Sequence, residues 1–69
     1  MTPIEAEQHV KTIYPNAELF LFVKHGYVIF YDTFPKIKFL CYYPQPTRDK
    51  AWLLAAEELD RRILEKFAQ

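Results

Sequence analysis

The only thiol of this sequence belongs to Cys41, and the only imidazoles belong to His9 and His25. A cysteine nucleophile needs a base beside it and a third group that orients the base, for which Asp32 is one choice. His25 and Asp32, however, fall at opposite ends of one predicted strand, and no spacing aligns either histidine with Cys41. Cys41 itself falls in mid-strand, where cysteine commonly serves as a small apolar residue. We therefore predict no catalytic residues and no enzymatic activity.

Carboxylates cluster near the C-terminal end, where acid–base chemistry or metal binding would need them close together. Glu57, Glu58 and Asp60 alternate there with Arg61 and Arg62, which is typical of a solvated helix face. The sequence has a single glycine, too few for a glycine-rich phosphate loop, and no serine to act as a nucleophile. No group of histidines and cysteines has the spacing of a zinc site. We therefore predict no cofactor and no bound metal.

The length and composition indicate one small α+β domain that spans residues 1–69. A chain of this size buries only about 60% of the surface that its unfolded form exposes, so its core is thin. With one cysteine, no disulfide within the chain can add stability, which leaves self-association as the remaining source. Nine basic and nine acidic residues cancel, whereas dedicated nucleic-acid binders and binders of anionic membranes usually carry an excess of positive charge.

Two further features predict a soluble, cytoplasmic protein without membrane contact. No apolar run exceeds six residues, far short of the roughly 20 residues that span a bilayer. The N-terminal segment carries Glu5, Glu7, Gln8 and His9 where the core of a secretory signal would be apolar.

Local signals predict one helix at each end of the chain. Thr2 is placed as the N-cap of the first helix, Pro3 stands at its first position and Glu5 completes a capping box. This helix is short and amphipathic, and Pro15 ends it. Thr47 is a plausible N-cap for the second helix, whose apolar residues recur at helical spacing to the end of the chain.

Between the helices, runs of β-branched and aromatic residues predict three strands. The first strand begins at Glu18, and a turn at residues 24–26 connects it to the second strand. Gly26 suits a tight hairpin at this turn. The third strand covers residues 37–43 and is terminated by the prolines that follow it. The order α-β-β-β-α predicts a three-stranded antiparallel meander with both helices packed on one face.

The charged residues at the strand ends predict which side chains point away from the helices, because successive side chains alternate between faces. The inner face is predicted to hold Leu19, Leu21, Val23, Tyr27, Ile29, Tyr31, Ile37, Phe39, Cys41 and Tyr43. The outer face is predicted to hold Phe20, Phe22, Val28, Phe30, Leu40 and Tyr42.

These six outer residues would form a larger apolar patch than soluble monomers usually expose. One hypothesis is a binding interface that joins two copies of the chain or binds another protein. The other is that the N-terminal helix crosses to this face and covers it.

Nucleic-acid binding is the alternative function. Ala51, Ala55 and Ala56 repeat the spacing of small residues in the second helix of the double-stranded RNA binding domain, and the element order resembles that family throughout the chain. The resemblance implies phosphate contacts near the start of the last helix, where Arg48 and Lys50 stand. Two features depart from the family: the first hairpin loop is short and the chain has no net charge.

A second form of this alternative uses the outer sheet face as a stacking platform for single-stranded bases. Aromatic side chains would lie under the bases, and Lys24, Lys36 and Lys38 would contact the phosphate backbone. Residues 24–50 carry five basic residues against two aspartates, which is a local excess of positive charge.

Overall fold

The computed structural model describes residues 1–33 and 35–68, without the side chains of Tyr42, Phe67 and Ala68. In this part of the chain it contains α1 (Pro3–Ile13), β1 (Glu18–Phe22), β2 (Gly26–Asp32), β3 (Lys38–Gln45) and α2 (Arg48–Ala68). The three strands form an antiparallel meander in the order β1-β2-β3. The predicted α+β class and element order are confirmed.

Both helices begin at the threonines that the sequence marks as caps. The Thr2 hydroxyl accepts a hydrogen bond from the Glu5 backbone N–H at 3.2 Å and donates one to the Glu5 carboxylate at 3.0 Å. The Thr47 hydroxyl accepts one from the Lys50 N–H, also at 3.2 Å. Each threonine thereby satisfies one of the backbone donors that a helix leaves unpaired in its first turn.

The helices form one layer on one side of the sheet. α1 packs against α2, and α2 packs against β2 and β3. Ala6 and Val10 of α1 share a core with Ile29 and Cys41 of the sheet, so α1 does not cover the second sheet face. The hypothesis that the N-terminal helix crosses to that face is therefore wrong. No helix in the described part of the chain is both long enough and apolar enough to cross a membrane.

The β1–β2 hairpin is regular and keeps the predicted alternation. Leu19 lies opposite Ile29 and Phe20 lies opposite Val28, with no shift of register between these strands. The Phe22 carbonyl accepts a hydrogen bond from the His25 N–H at 2.9 Å, which closes the turn. Gly26 follows with a φ of 122°, a conformation that residues with a Cβ rarely adopt.

The third strand breaks the alternation. Ile29 lies opposite Cys41, but its neighbour Phe30 lies opposite Phe39, so Leu40 is an extra residue on β3. A bulge of this kind turns consecutive residues toward the same side, and Leu40 and Cys41 are both buried in the core beneath the helices. The predictions that Leu40 faces outward and that Phe39 faces the helices are therefore wrong.

Other residues that the sequence assigns to the inner face are exposed. Leu21 and Val23 lie on the β1 hairpin, beyond the strands against which α2 packs. Ile37 precedes β3 and turns toward the outer face, while Tyr43 lies in the irregular stretch between the paired residues Cys41 and Gln45. The helical layer is therefore too narrow to cover the whole inner face of the sheet.

An arginine of α2 ties this helix to the backbone of β3. Arg62 Nη2 donates to the Phe39 carbonyl oxygen at 3.1 Å, and Arg62 Nε donates to the Glu58 carboxylate at 2.7 Å. Arg61 binds the same carboxylate at 2.6 Å. The hydrogen bond from Arg61 is the main reason that the pKa of Glu58 lies below its usual value, and the charge of Arg62 acts in the same direction.

Candidate binding surface on the open sheet face

The sheet face opposite the helices carries an apolar depression of about 230 Å³. Every strand contributes to it, with Phe20 and Phe22 from β1, Phe30 from β2 and Phe39 from β3, and the segment between β2 and β3 adds two further residues. The lining residues are Phe20, Phe22, Phe30, Thr33, Ile37 and Phe39. The rings of Phe20 and Phe22 contact each other edge to face, with centroids 5.0 Å apart, which is a favourable arrangement for aromatic pairs.

A second depression, of about 310 Å³, continues this surface toward the β1–β2 turn. It is lined by Phe22, His25, Phe39 and Pro44, and so shares two phenylalanines with the first depression. Gly26 lies opposite Phe22 in the sheet and adds no side chain there. We refer to the two depressions together, with the residues that line them, as the aromatic groove.

The structure divides the predicted binding residues into three groups. Phe20, Phe22 and Phe30 line the aromatic groove. Val28 lies opposite Phe20 and therefore points to the same face, but it is buried, so it belongs to the floor of this face and not to its contact surface. Leu40 lies in the core, and the side chain of Tyr42 lies outside the described residues.

Sequence reasoning missed several residues of the groove. Lys36 and Lys38 predict an outward side that leaves Ile37 and Phe39 on the inner face, whereas both line the groove. Pro44 was taken as the end of the strand, although β3 continues through it to Gln45. The proline within the strand was the one available signal of an irregular edge strand.

The lysines assigned to a nucleic-acid backbone lie at both ends of this face. Lys24 lies in the β1–β2 turn, whereas Lys36 precedes β3 and Lys38 is paired with Asp32 at the opposite end of β2. All three side chains are exposed, and the Lys38 Nζ is 3.9 Å from the Asp32 carboxylate. An ion pair this exposed contributes little to stability, so Lys38 is held only loosely.

The other two basic residues of that prediction belong to the helical layer. Arg48 lines a shallow depression of about 250 Å³ together with Pro3, Ile4 and Glu7 of α1. Lys50 is exposed in the first turn of α2, where its N–H binds the capping Thr47. Since the helices cover the opposite face of the sheet, the structure does not bring Arg48 and the lysines of the open face to one surface.

The residues considered for catalysis are also dispersed. His9 of α1 contacts Asp60 of α2 at 2.8 Å, whereas His25 is exposed in the hairpin turn. Cys41 is buried, and its thiol donates to the Tyr43 carbonyl oxygen at 3.4 Å. Among the described residues no group of three or more histidines, cysteines or carboxylates is placed to hold a metal ion.

Burial raises the pKa of the Cys41 thiol, and a backbone hydrogen bond with Ile29 opposes this shift only in part. We expect the rate at which iodoacetamide labels Cys41 to be at least roughly tenfold lower in the folded protein than in urea. Labelling requires both local opening of the structure and the thiolate form of the side chain. The pKa of the Cys41 thiol is higher in the folded protein than in the unfolded chain. The contribution of this thiol to the free energy of unfolding is therefore present at neutral pH and is lost as the pH rises through the pKa of the folded protein. A rapid reaction of the folded protein at neutral pH would contradict the buried, protonated thiol.

Comparison of the chain with protein-family models, curated proteins and solved structures finds no match.

Proposed function

We propose that this protein is a non-enzymatic interaction protein whose aromatic groove binds an apolar protein surface, belonging to a second copy of the chain or to another protein. The observation that carries the proposal is the groove itself, an open sheet face lined by four phenylalanines and an isoleucine. An antiparallel sheet with one solvated face ordinarily carries polar residues there. Aromatic residues on such a face are instead typical of the centre of a protein interface.

The energetics support this proposal. Burying one large apolar side chain contributes roughly 1.5 to 3 kcal/mol, and association costs roughly 4 to 15 kcal/mol. Five apolar side chains that are partly exposed before binding can therefore offset that cost when a complementary surface covers them. The dispersed positions of Cys41, His9 and His25 support a binding function over a catalytic one.

Phe30→Asp places a carboxylate in the first depression of the groove, and Ile37→Asp does the same at a residue that is 57% exposed and so matters less for folding. We expect either change to weaken binding by roughly 30-fold or more, as for an interface hot spot. Light scattering measures the mass of a self-associated particle, and affinity capture with the immobilised protein, followed by mass spectrometry, detects another partner.

Leu64→Asp is the matched control. Leu64 is 69% exposed on α2, in the helical layer, so this variant adds the same charge to an exposed apolar residue far from the groove. The proposal requires that Leu64→Asp retain the mass and the captured protein that Phe30→Asp and Ile37→Asp lose. Equal behaviour of all three variants would contradict it.

Single-stranded nucleic acid is the second candidate, favoured by the exposed Lys24, Lys36 and Lys38 at the two ends of an aromatic surface. Titration with single-stranded RNA at low salt, followed by amide chemical shifts, tests it. Shifts confined to the groove that weaken with added salt would support this candidate, because phosphate contacts are salt-dependent. Unchanged spectra would remove it. Duplex RNA serves as the comparison, because its predicted contacts, Arg48 and Lys50, lie on the helical layer and not in the groove.

A further inference from the structure

The two edges of the sheet differ in how they are protected from pairing with another strand. The β3 edge carries Pro44 within the strand and several shifts of register. The Phe39 carbonyl oxygen of this strand also accepts a hydrogen bond from Arg62. Bulges, prolines and covering side chains are the devices by which natural sheets block an exposed edge. β3 is therefore a poor template for a further strand.

The β1 edge has none of these devices. Its residues pair with β2 in a regular register, and β2 is the only strand beside it in the described part of the chain. Apolar side chains extend from both of its faces, since Phe20 and Phe22 line the aromatic groove while Leu21 is 48% exposed on the other side. Val23, which follows the strand, is 90% exposed. A regular edge strand that is apolar on both faces is a template for pairing with another strand.

Residues 18–24 read ELFLFVK, and this segment is symmetric about Leu21 in the class of its side chains. Phe20 and Phe22 flank the centre, aliphatic residues stand at positions 19 and 23, and opposite charges stand at the two ends, as Glu18 and Lys24. Two copies of a strand that pair antiparallel place each residue beside its symmetry-related position. Such a segment is therefore complementary to a second copy of itself.

We infer that β1 pairs antiparallel with β1 of a second copy, with Leu21 opposite Leu21 of the partner copy. The two three-stranded sheets then form one continuous sheet of six strands. Glu18, at the start of β1 in each copy, then lies beside Lys24 in the turn that follows β1 of the other, and both side chains are exposed in the single chain. The phenylalanines of the two strands stack side by side on one face, and the exposed aliphatic residues cover each other on the opposite face.

The charges select this register over its neighbours. A slip of two residues keeps the side chains on their faces but places Glu18 beside Phe22 of the partner copy in one direction and beside Gly26 of the partner copy in the other, so both ion pairs are lost. This contact goes beyond the proposed function, because it uses a strand edge and leaves the aromatic groove uncovered. It sets the grooves of both copies on one face of the continuous sheet.

Cross-linking tests the register directly. In a Cys41→Ala background, Leu21→Cys places two thiols across the twofold axis, where Cβ atoms of opposed residues are about 4.5–5.5 Å apart, close to the span of a disulfide. Under copper–phenanthroline oxidation we expect this variant to become mainly covalent dimer. Val23→Cys is the control. In the proposed register residue 23 lies opposite residue 19 of the partner copy, so the two new thiols do not face each other, even though Val23 is more exposed than Leu21. Equal cross-linking of both variants, or none of Leu21→Cys, would overturn the inference.

Charge exchange supplies a second test. Glu18→Lys and Lys24→Glu each place like charges at both ends of the paired strands, and we expect each to raise the dimer dissociation constant several-fold at low salt. The double variant again has opposite charges at each end and should recover most of the lost affinity in sedimentation equilibrium. Losses that add in the double variant would overturn the inference.

The edge contact and the proposed function can fail separately. Ile37→Asp changes the groove at a residue that precedes β3, and β2 separates β3 from β1, so the inference predicts unchanged cross-linking of Leu21→Cys in its presence. If Phe30→Asp abolishes association and Leu21→Cys does not cross-link, the edge inference is wrong and the groove proposal stands. If Leu21→Cys cross-links and Phe30→Asp changes neither mass nor capture, the edge inference stands alone.

Discussion

Gly26→Ala is expected to lower the free energy of unfolding by about 3 kcal/mol. The φ of Gly26 is 122°, which strains any residue with a Cβ. A Cβ built at this position would also lie 2.4 Å from the carbonyl oxygen of Gln45 on β3. That neighbour is backbone, so relief requires β2 and β3 to separate.

Urea denaturation of wild type and Gly26→Ala measures this effect, with His25→Ala as the control from the same turn. His25 is exposed, and no residue other than glycine has a positive φ in the described part of the chain. His25→Ala should change the free energy of unfolding by less than about 0.5 kcal/mol. A loss below about 1 kcal/mol for Gly26→Ala would contradict the close approach of β2 and β3.

The second large effect is expected at Leu59, a fully buried residue of α2 in the core that joins both helices to the sheet. Leu59→Ala removes buried methyl groups and leaves a cavity, which costs roughly 2 to 5 kcal/mol. A domain of this length has a total stability of only roughly 3 to 10 kcal/mol. We therefore expect a large part of the protein to be unfolded at 37 °C, as measured by circular dichroism.

Leu64→Ala makes the same truncation on the same helix, where the side chain is 69% exposed, and should cost less than about 0.5 kcal/mol. Leu59 is a cleaner choice than Trp52, because the Trp52 ring also lies 5.4 Å from the Lys11 ammonium in a cation–π contact. Similar melting temperatures for Leu59→Ala and Leu64→Ala would show that α2 does not pack on the sheet through Leu59.

The β1–β2 hairpin shows how far alternation alone can place side chains. Phe20, Phe22 and Phe30 lie on the open face as expected, since a regular antiparallel register preserves a period of two residues. Burial did not follow from the same pattern. Leu21 is exposed although it points to the side of the helices, because the width of the helical layer depends on how α1 and α2 pack together.

β3 shows where the pattern fails. The lysines at positions 36 and 38 predict that the even-numbered residues of β3 face outward. Ile37 and Phe39 line the groove instead, and the bulge places both Leu40 and Cys41 in the core. A bulge has no periodic signature, because it arises from the pairing of two strands and not from either strand alone. The position of Phe39 in the groove depends on this irregular pairing and does not follow from the sequence pattern.

The order of the elements, both helix caps and the β1–β2 turn can be predicted from local sequence signals. These features depend on residues within a few positions of one another: Thr2 with Glu5, Thr47 with Lys50, and a glycine where φ is positive. The extent to which the helices cover the inner face, and the residues of β3 that face the groove, depend on tertiary packing. Those depend on the contact of α1 with α2 and on the register of β3 against β2, between residues distant in sequence, which no local pattern encodes.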